Sequence, residues 1–127
     1  MHPNDITGKI IDVAIEIHRQ LGPGLLETVY RKILAYELRK DGLEVQEEQP
    51  IPVVWDGMRL ELGFRADLIV NSLVVVELKS VESVAPVHKK QVLTYLKLTN
   101  MNLGLLINFN VELLKHGVSR VVNNLPE

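Results

Sequence analysis

The chain contains no cysteine. That excludes disulfides, thiolate zinc sites, iron–sulfur clusters and cysteine nucleophiles together, and it fits a reducing, cytoplasmic setting. Aromatic residues are scarce, at 5% of 127, which excludes a broad base-stacking platform. No apolar run approaches the roughly 18 residues of a membrane span, so no membrane partner is expected. The first residues, MHPNDITGK, lack the basic stretch and apolar segment of a secretion signal. Charge of one sign is also missing. Fourteen Lys and Arg against 16 Asp and Glu leave a formal net charge of −2, unlike a general nucleic-acid coat protein, which would be strongly basic. A nucleic-acid role must then rest on a local basic patch or on metal ions that offset acidic groups.

What is present is an ordinary globular composition, with 46% hydrophobic and 24% charged residues, 8 Gly and 6 Pro. The length suits one domain over residues 1–127, without repeats, low-complexity tracts or linkers. From Asp5 to Leu21, Ile6, Ile10, Val13, Ala14, Ile17 and Leu21 recur at helical spacing; Asn4 or Asp5 would cap the start and Gly22-Pro23 would stop it. A second helix is expected over Leu25–Lys40, with Gly42 beyond its end. Leu43–Gln49 alternates weakly, and Pro50 and Pro52 suggest an edge strand. Asp56-Gly57 marks a hairpin after Pro52–Trp55. Its return strand is expected to run unbroken from Met58 to Val70, with Leu60, Leu62, Phe64, Ala66 and Leu68 on one face and Glu61, Gly63, Arg65 and Asp67 on the other. Asn71-Ser72 turns the chain into Leu73–Lys79, apolar enough for a central strand. Pro86 opens a third helix to about Leu98, Leu103–Phe109 forms another buried strand, and Val118–Val122 a short last one. The expected order, α-α-β-β-β-α-β-β, defines an α/β fold with a mixed central sheet flanked by helices.

The chemistry concentrates on two neighbouring strands. Alternation places Glu77 and Lys79 on one face and Val76 and Leu78 on the other, while Asp67 lies opposite Ala66 and Leu68. The turn at Asn71-Ser72 brings Asp67 beside Glu77. Two carboxylates about 4 Å apart repel by roughly 4 kcal/mol at an effective dielectric of 20. A divalent cation relieves both that repulsion and the cost of burial, and oxygen ligands without a His/Cys cluster suit Mg²⁺ or Mn²⁺. A water on such an ion can become a nucleophile, which Lys79 could orient. The plain alternative is a salt bridge between Lys79 and one of the acids. Gln91 and Tyr95 share a helix face and could hold phosphate, behind a small basic cluster of His88, Lys89 and Lys90; otherwise Tyr95 packs in the core and the lysines are solvated. Glu27 falls in a first helical turn, where the dipole favours a carboxylate, or else swings toward the sheet as a further ligand. His18, near the first apolar stripe, reads as a satisfied structural residue.

The stretch Gly24-x-x-Glu27-x-x-Tyr30, preceded by IHRQLGPG, resembles the signature of the GxxExxY proteins, a group assigned to the PD-(D/E)XK nuclease superfamily. FRADLIV, VVVELKS and QVLTYLKL add to the likeness, which runs from about Ile10 to Val122. The resemblance implies a PD-(D/E)XK nuclease-like fold and a phosphodiester-hydrolysing metal enzyme. It makes Asp67 the first acidic position and Glu77 and Lys79 the (D/E)-x-K triplet. Metal would be held by Asp67, Glu77, the carbonyl of Leu78 and Glu27, with Lys79 acting on the attacking water. Gln91 and Tyr95 match a Q-x-x-x-Y helix motif; they, with Tyr30, Lys89 and Lys90, are expected to bind substrate. Ala66 stands where the superfamily name has proline. Nucleic acid, DNA ahead of RNA, is the implied partner, and a homodimer is a further expectation. The rival reading is an inactive module of the same fold that binds nucleic acid or a protein.

Overall fold

The computed structural model describes residues 1–61 and 63–126. Helix α1 (Pro3–Leu21) starts earlier than its apolar periodicity suggests. His2 is its cap: Nδ1 accepts from the Asn4 amide at 3.0 Å, and Asp5 returns a bond to the His2 amide at 3.3 Å. Asn4 and Asp5, expected as caps, instead lie inside the first turn. Helix α2 (Glu27–Lys40) follows the Gly-Pro-Gly turn. Strand β1 (Val45–Pro50) leads to a hairpin of β2 (Val53–Trp55) and β3 (Met58–Leu60). Strands β4 (Arg65–Val70) and β5 (Val74–Lys79), helix α3 (Pro86–Thr99), strand β6 (Leu103–Asn108), a 3₁₀ turn (Leu114–Gly117) and strand β7 (Val118–Val122) complete the order.

Five strands form a mixed sheet in the order β1-β4-β5-β6-β7, with β5 and β6 parallel and the other neighbours antiparallel. This is the expected mixed α/β architecture, consistent with a PD-(D/E)XK nuclease-like fold. One expectation fails: the strand from Met58 to Val70 is not continuous. It breaks after Leu60, passes Gly63 at φ +90°, a conformation costly for any other residue, and resumes at Arg65. β2 and β3 thus form a separate two-stranded sheet, and the order gains strands before α3. The expected apolar face is not kept as one face, even within β4. Phe64 is exposed and Ala66 packs toward α3 while Leu68 packs toward α1 and α2; Leu62 lies outside the described residues.

The sheet is buried on both faces, but unequally. α1 and α2 press Ile6, Ile10, Ala14, Leu34 and Leu38 onto Leu68, Val70, Val74, Val76, Leu78, Leu105 and Ile107. On the opposite face α3 contributes Tyr95 and Leu96 to a smaller cluster with Ile51, Ala66, Ile69 and Val75. α3 can sit close because residue 104 is glycine: a Cβ there would fall 2.7 Å from a Val92 methyl. Among the described residues, no helix is long and apolar enough to cross a membrane.

Candidate active site

The β4–β5 ladder pairs Val70 with Val74, Ile69 with Val75 and Leu68 with Val76, and then stops. Beyond it the strands part and side chains replace the ladder. The Asp67 amide donates to Glu77 Oε1 at 2.9 Å, and the Leu78 amide donates to Asp67 Oδ2 at 2.8 Å. Each carboxylate thus satisfies a main-chain donor on or beside the other's strand, which fixes both heads at the mouth of the gap. A residue in a strand presents its N–H and C=O to the same edge. The Leu78 carbonyl therefore faces this gap too, whereas the next carbonyl, that of Lys79, accepts from the Phe109 amide across β6 at 2.9 Å.

Glu77 shares a sheet parity with Val75, which packs with Tyr95 on the α3 side, and the Asp67 carboxylate lies near enough for its charge to act on Tyr95 as well. Glu77 is buried, at 6% exposure. Burial, and then the Asp67 carboxylate beside it, push its carboxyl from 4.5 up to about 8, with Lys79 pulling in the opposite direction. Lys79 is half-buried and, among the described residues, makes no ion pair with either acid. The simple salt-bridge alternative is therefore not what the structure contains. Tyr95 is buried over the same spot; burial and the Glu77 and Asp67 charges raise its phenol above the ordinary value.

Gln91 lies one turn before Tyr95 on α3 and is half-buried, while Lys89 and Lys90 are exposed at the start of that helix. Lys89 lines a separate pocket with Glu82, Asn108 and His116. His88 serves the helix start, its Nδ1 accepting from the Ala85 amide at 3.2 Å. Glu27 is exposed as the first residue of α2, where its charge suits the helix dipole. Its loop is tied to the end of β5 by a 2.8 Å bond from the Ser80 hydroxyl to the Leu25 carbonyl. Among the described residues no three acids or histidines gather closely enough to hold a metal, so Glu27 stands apart from the Asp67–Glu77 pair.

Tyr30, expected to meet substrate, is instead fully buried. Its ring stacks on Phe109 at 4.2 Å, and its hydroxyl donates to the Gly22 carbonyl at 2.6 Å and accepts from the Leu25 amide at 3.2 Å. It therefore fixes the Gly-Pro-Gly turn. His18 is the satisfied structural residue expected, its Nε2 2.7 Å from the Val111 carbonyl.

Two contributors escaped the sequence reading. Asn108 Oδ1 accepts from the Val81 amide at 3.1 Å and its Nδ2 donates to the Val81 carbonyl at 2.9 Å, so a buried amide holds the segment just after Lys79. Its signal was an amide ending the apolar run LGLLIN. Phe64 packs edge-on against Tyr95 with centroids 6.2 Å apart, a contact hidden by the false continuity of the strand.

Two close carboxylates, a carbonyl at the same edge and a phenol form a set of hard oxygen donors, with the Lys79 ammonium close enough for its charge to act on Glu77. A family model for the PD-(D/E)XK nuclease superfamily matches residues 4–121. The chain belongs to that superfamily, whose members act on nucleic acid and generally use divalent metals. Comparison with curated proteins and with solved structures gave no match.

Proposed function

We propose that this protein is a Mg²⁺- or Mn²⁺-dependent nuclease that hydrolyses phosphodiester bonds, a single-domain member of the GxxExxY group working in the cytoplasm on DNA ahead of RNA. The observation that carries this reading is the reciprocal bonding of Asp67 and Glu77 across the parted strands, with the Leu78 carbonyl at the same edge. The donor set fits a hard divalent cation. Both acids are held by main-chain amides, and Glu77 resists ionisation because it is buried and has the Asp67 charge beside it. Asp67, Glu77 and the Leu78 carbonyl would hold the ion. When bound, it supplies charge neutralisation at the attacked phosphate and a water of lowered pKa.

The chain's own groups do the rest. Lys79 has donors and no acceptor, so it orients the attacking water and meets negative charge as it grows on the phosphate. Tyr95 and Gln91 offer a hydroxyl and an amide to phosphate oxygens from the facing helix. Lys89 and Lys90 add positive charge further along α3 for the strand's flanking phosphates. Glu27 acts from the rim, through water, rather than as a direct ligand.

The test is incubation of highly purified protein with end-labelled single- and double-stranded DNA and RNA in Mn²⁺, Mg²⁺ or EDTA. The reading expects cleavage that requires the metal and disappears in Glu77→Gln. Wild type that cuts none of the four substrates, but binds them with salt-sensitive affinity, would establish the inactive binding module instead.

A further inference from the structure

The pocket that Lys89 lines lies one strand along from the candidate active site, on the same face of the sheet. Its volume is about 300 Å³, and Glu82, Ser83, Asn108, His116 and Ser119 line it with Lys89. Strand parity fixes the face. Lys79 follows Val75 and Glu77 at steps of two beneath α3. Asn108 follows Gly104 at the same steps, and Gly104 lies under Val92 and Leu96 of α3. Lys79 and Asn108 are partners in the parallel β5–β6 ladder. The pocket therefore begins about 4.8 Å from Lys79, one strand spacing away. Ser119 has the parity of Val121, which packs with the α3-side cluster, and joins that face from β7.

Buried Asn108 braces the pocket's walls. Its side chain holds Val81, two residues before Ser83, through both amide atoms, and accepts from the Asn110 amide at 3.2 Å. Gly117 closes on the Asn108 carbonyl so tightly that a Cβ has no room. On α3, Lys89 stands in the row of Val92 and Leu96, three and seven residues on, which rests on β6 at Gly104. Tyr95, from the neighbouring row, is the residue near the acids. Lys89 thus serves the pocket rather than Asp67 and Glu77.

The polar groups in this braced pocket are unspent. Among the described residues, Lys89 makes no ion pair, and the Ser83 and Ser119 hydroxyls and the His116 ring make no hydrogen bond within the protein. An ammonium, an imidazole that donates an N–H in either protonation state and two hydroxyls are the donors that a phosphate takes. Glu82, the one carboxylate of the lining, is exposed and leaves Lys89 unpaired.

We infer that this pocket is a second phosphate subsite: Lys89 and His116, with the Ser83 and Ser119 hydroxyls, hold another phosphate of the strand that is cut at Asp67 and Glu77. This rests on the nuclease reading and gives the substrate a direction, across the sheet face from β4 and β5 toward β6 and β7. An internal diester and a terminal monoester present the same oxygens to these groups.

The whole protein is titrated in EDTA with dye-labelled single- and double-stranded DNA at several salt concentrations, and binding is read by anisotropy. Lys89→Ala should weaken binding by about tenfold. It should also flatten the slope of log affinity against log salt by about 0.7 for single strands or 0.9 for duplex, the loss of one phosphate contact. Lys89→Arg should restore most of both, and His116→Ala should weaken binding by about threefold. Glu82→Gln should tighten it, because the lining then holds no negative charge. All three positions are exposed, so these substitutions spare the core. Lys97→Ala removes the same charge about 12 Å further along α3, beyond a Debye length at 0.1 M salt, and should change binding by less than about twofold. In Mn²⁺, uncharged methylphosphonate linkages then replace single phosphates on either side of the cleaved bond. One flanking position should raise KM in wild type and not in Lys89→Ala. The same pattern seen only on removing a terminal phosphate assigns the pocket to the strand's end.

Binding and metal-dependent cutting indifferent to Lys89→Ala and His116→Ala overturn the subsite and leave the nuclease standing. An equal loss in Lys97→Ala also overturns the subsite, since the charge then acts from anywhere on the helix. Lys89-dependent, salt-sensitive binding without any cutting keeps the phosphate subsite and overturns the nuclease. Absence of all nucleic-acid binding overturns both.

Discussion

On one face of β5, Val74, Val76 and Leu78 lie sealed beneath α1 and α2; on the other, Val75 is followed by Glu77 and Lys79. The same six residues thus serve two purposes, separated by the pleat. The apolar face carries the larger core and contributes most to stability. The other face gives up apolar burial to hold a carboxylate that prefers to be neutral, beside a second carboxylate and a lysine that reaches neither. Such a concession in an otherwise apolar strand is expected where a site stores electrostatic strain for a ligand to relieve.

Substitutions on the two faces should therefore differ in kind. The largest effect is expected on the packed face. Leu105→Ala, at a fully buried position, should cost about 2–5 kcal/mol in urea unfolding while leaving the site's chemistry intact in the molecules that remain folded. On the charged face, Lys79→Ala should lower cleavage by about 100-fold, near 2.7 kcal/mol of barrier, yet keep metal and nucleic-acid binding within a few-fold. A cleavage rate unchanged by this substitution would trace the activity to a contaminating enzyme.

Glu77→Gln sharpens the contrast through pH. The folded Glu77 carboxyl is raised from 4.5 to about 8, so below the lower value it is protonated in both folded and unfolded chains. As pH climbs through that window the unfolded chain ionises first, and the metal-free folded state loses stability until about pH 8, where the loss levels off. Glutamine keeps the acceptor for the Asp67 amide and removes the titration. Glu77→Gln should thus be more stable than metal-free wild type, by an amount that grows with pH to on the order of 2 kcal/mol near pH 8. Urea midpoints at several pH values measure it; a constant difference would break the comparison. The smallest effect is expected at the rim, where Glu27→Gln should slow cleavage by roughly tenfold, as supporting shells of metal sites do. In urea unfolding the same substitution should cost under about 1 kcal/mol, from lost dipole interaction.

Much of this division was legible in the sequence. Strand alternation and the Asn71-Ser72 turn, with φ of +53° and +54°, pointed to a meeting of Asp67 and Glu77, and the two carboxylates do bond main-chain amides across β4 and β5. Helix existence followed from apolar spacing and the Gly22-Pro23 stop. The failures have local causes. Gly63 breaks a strand whose alternation looked unbroken, since periodicity records which face a residue prefers and not whether the backbone bends between residues. Tyr30 was assigned to substrate by its place in the Gly24–Glu27–Tyr30 motif; its role, bridging Gly22 and Leu25 above Phe109, depends on a residue 79 positions away that no local pattern reveals. The parting of β4 and β5, which lets each acid bond the opposite main chain, is likewise a tertiary fact.

The account turns on the claim that Asp67 and Glu77 repel in the free protein and are reconciled by a shared cation. Thermal unfolding of wild type, Asp67→Asn and Glu77→Gln, with and without millimolar Mn²⁺, tests it most directly. A ion that binds only the folded state must raise its melting temperature. Wild type should gain several degrees on adding Mn²⁺, and more near pH 8 than near pH 6, because binding must displace the Glu77 proton. Both variants should match or exceed metal-free wild type and gain nothing from Mn²⁺. A wild-type melting temperature indifferent to Mn²⁺ at both pH values, or a full Mn²⁺ response in Asp67→Asn, would contradict the claim.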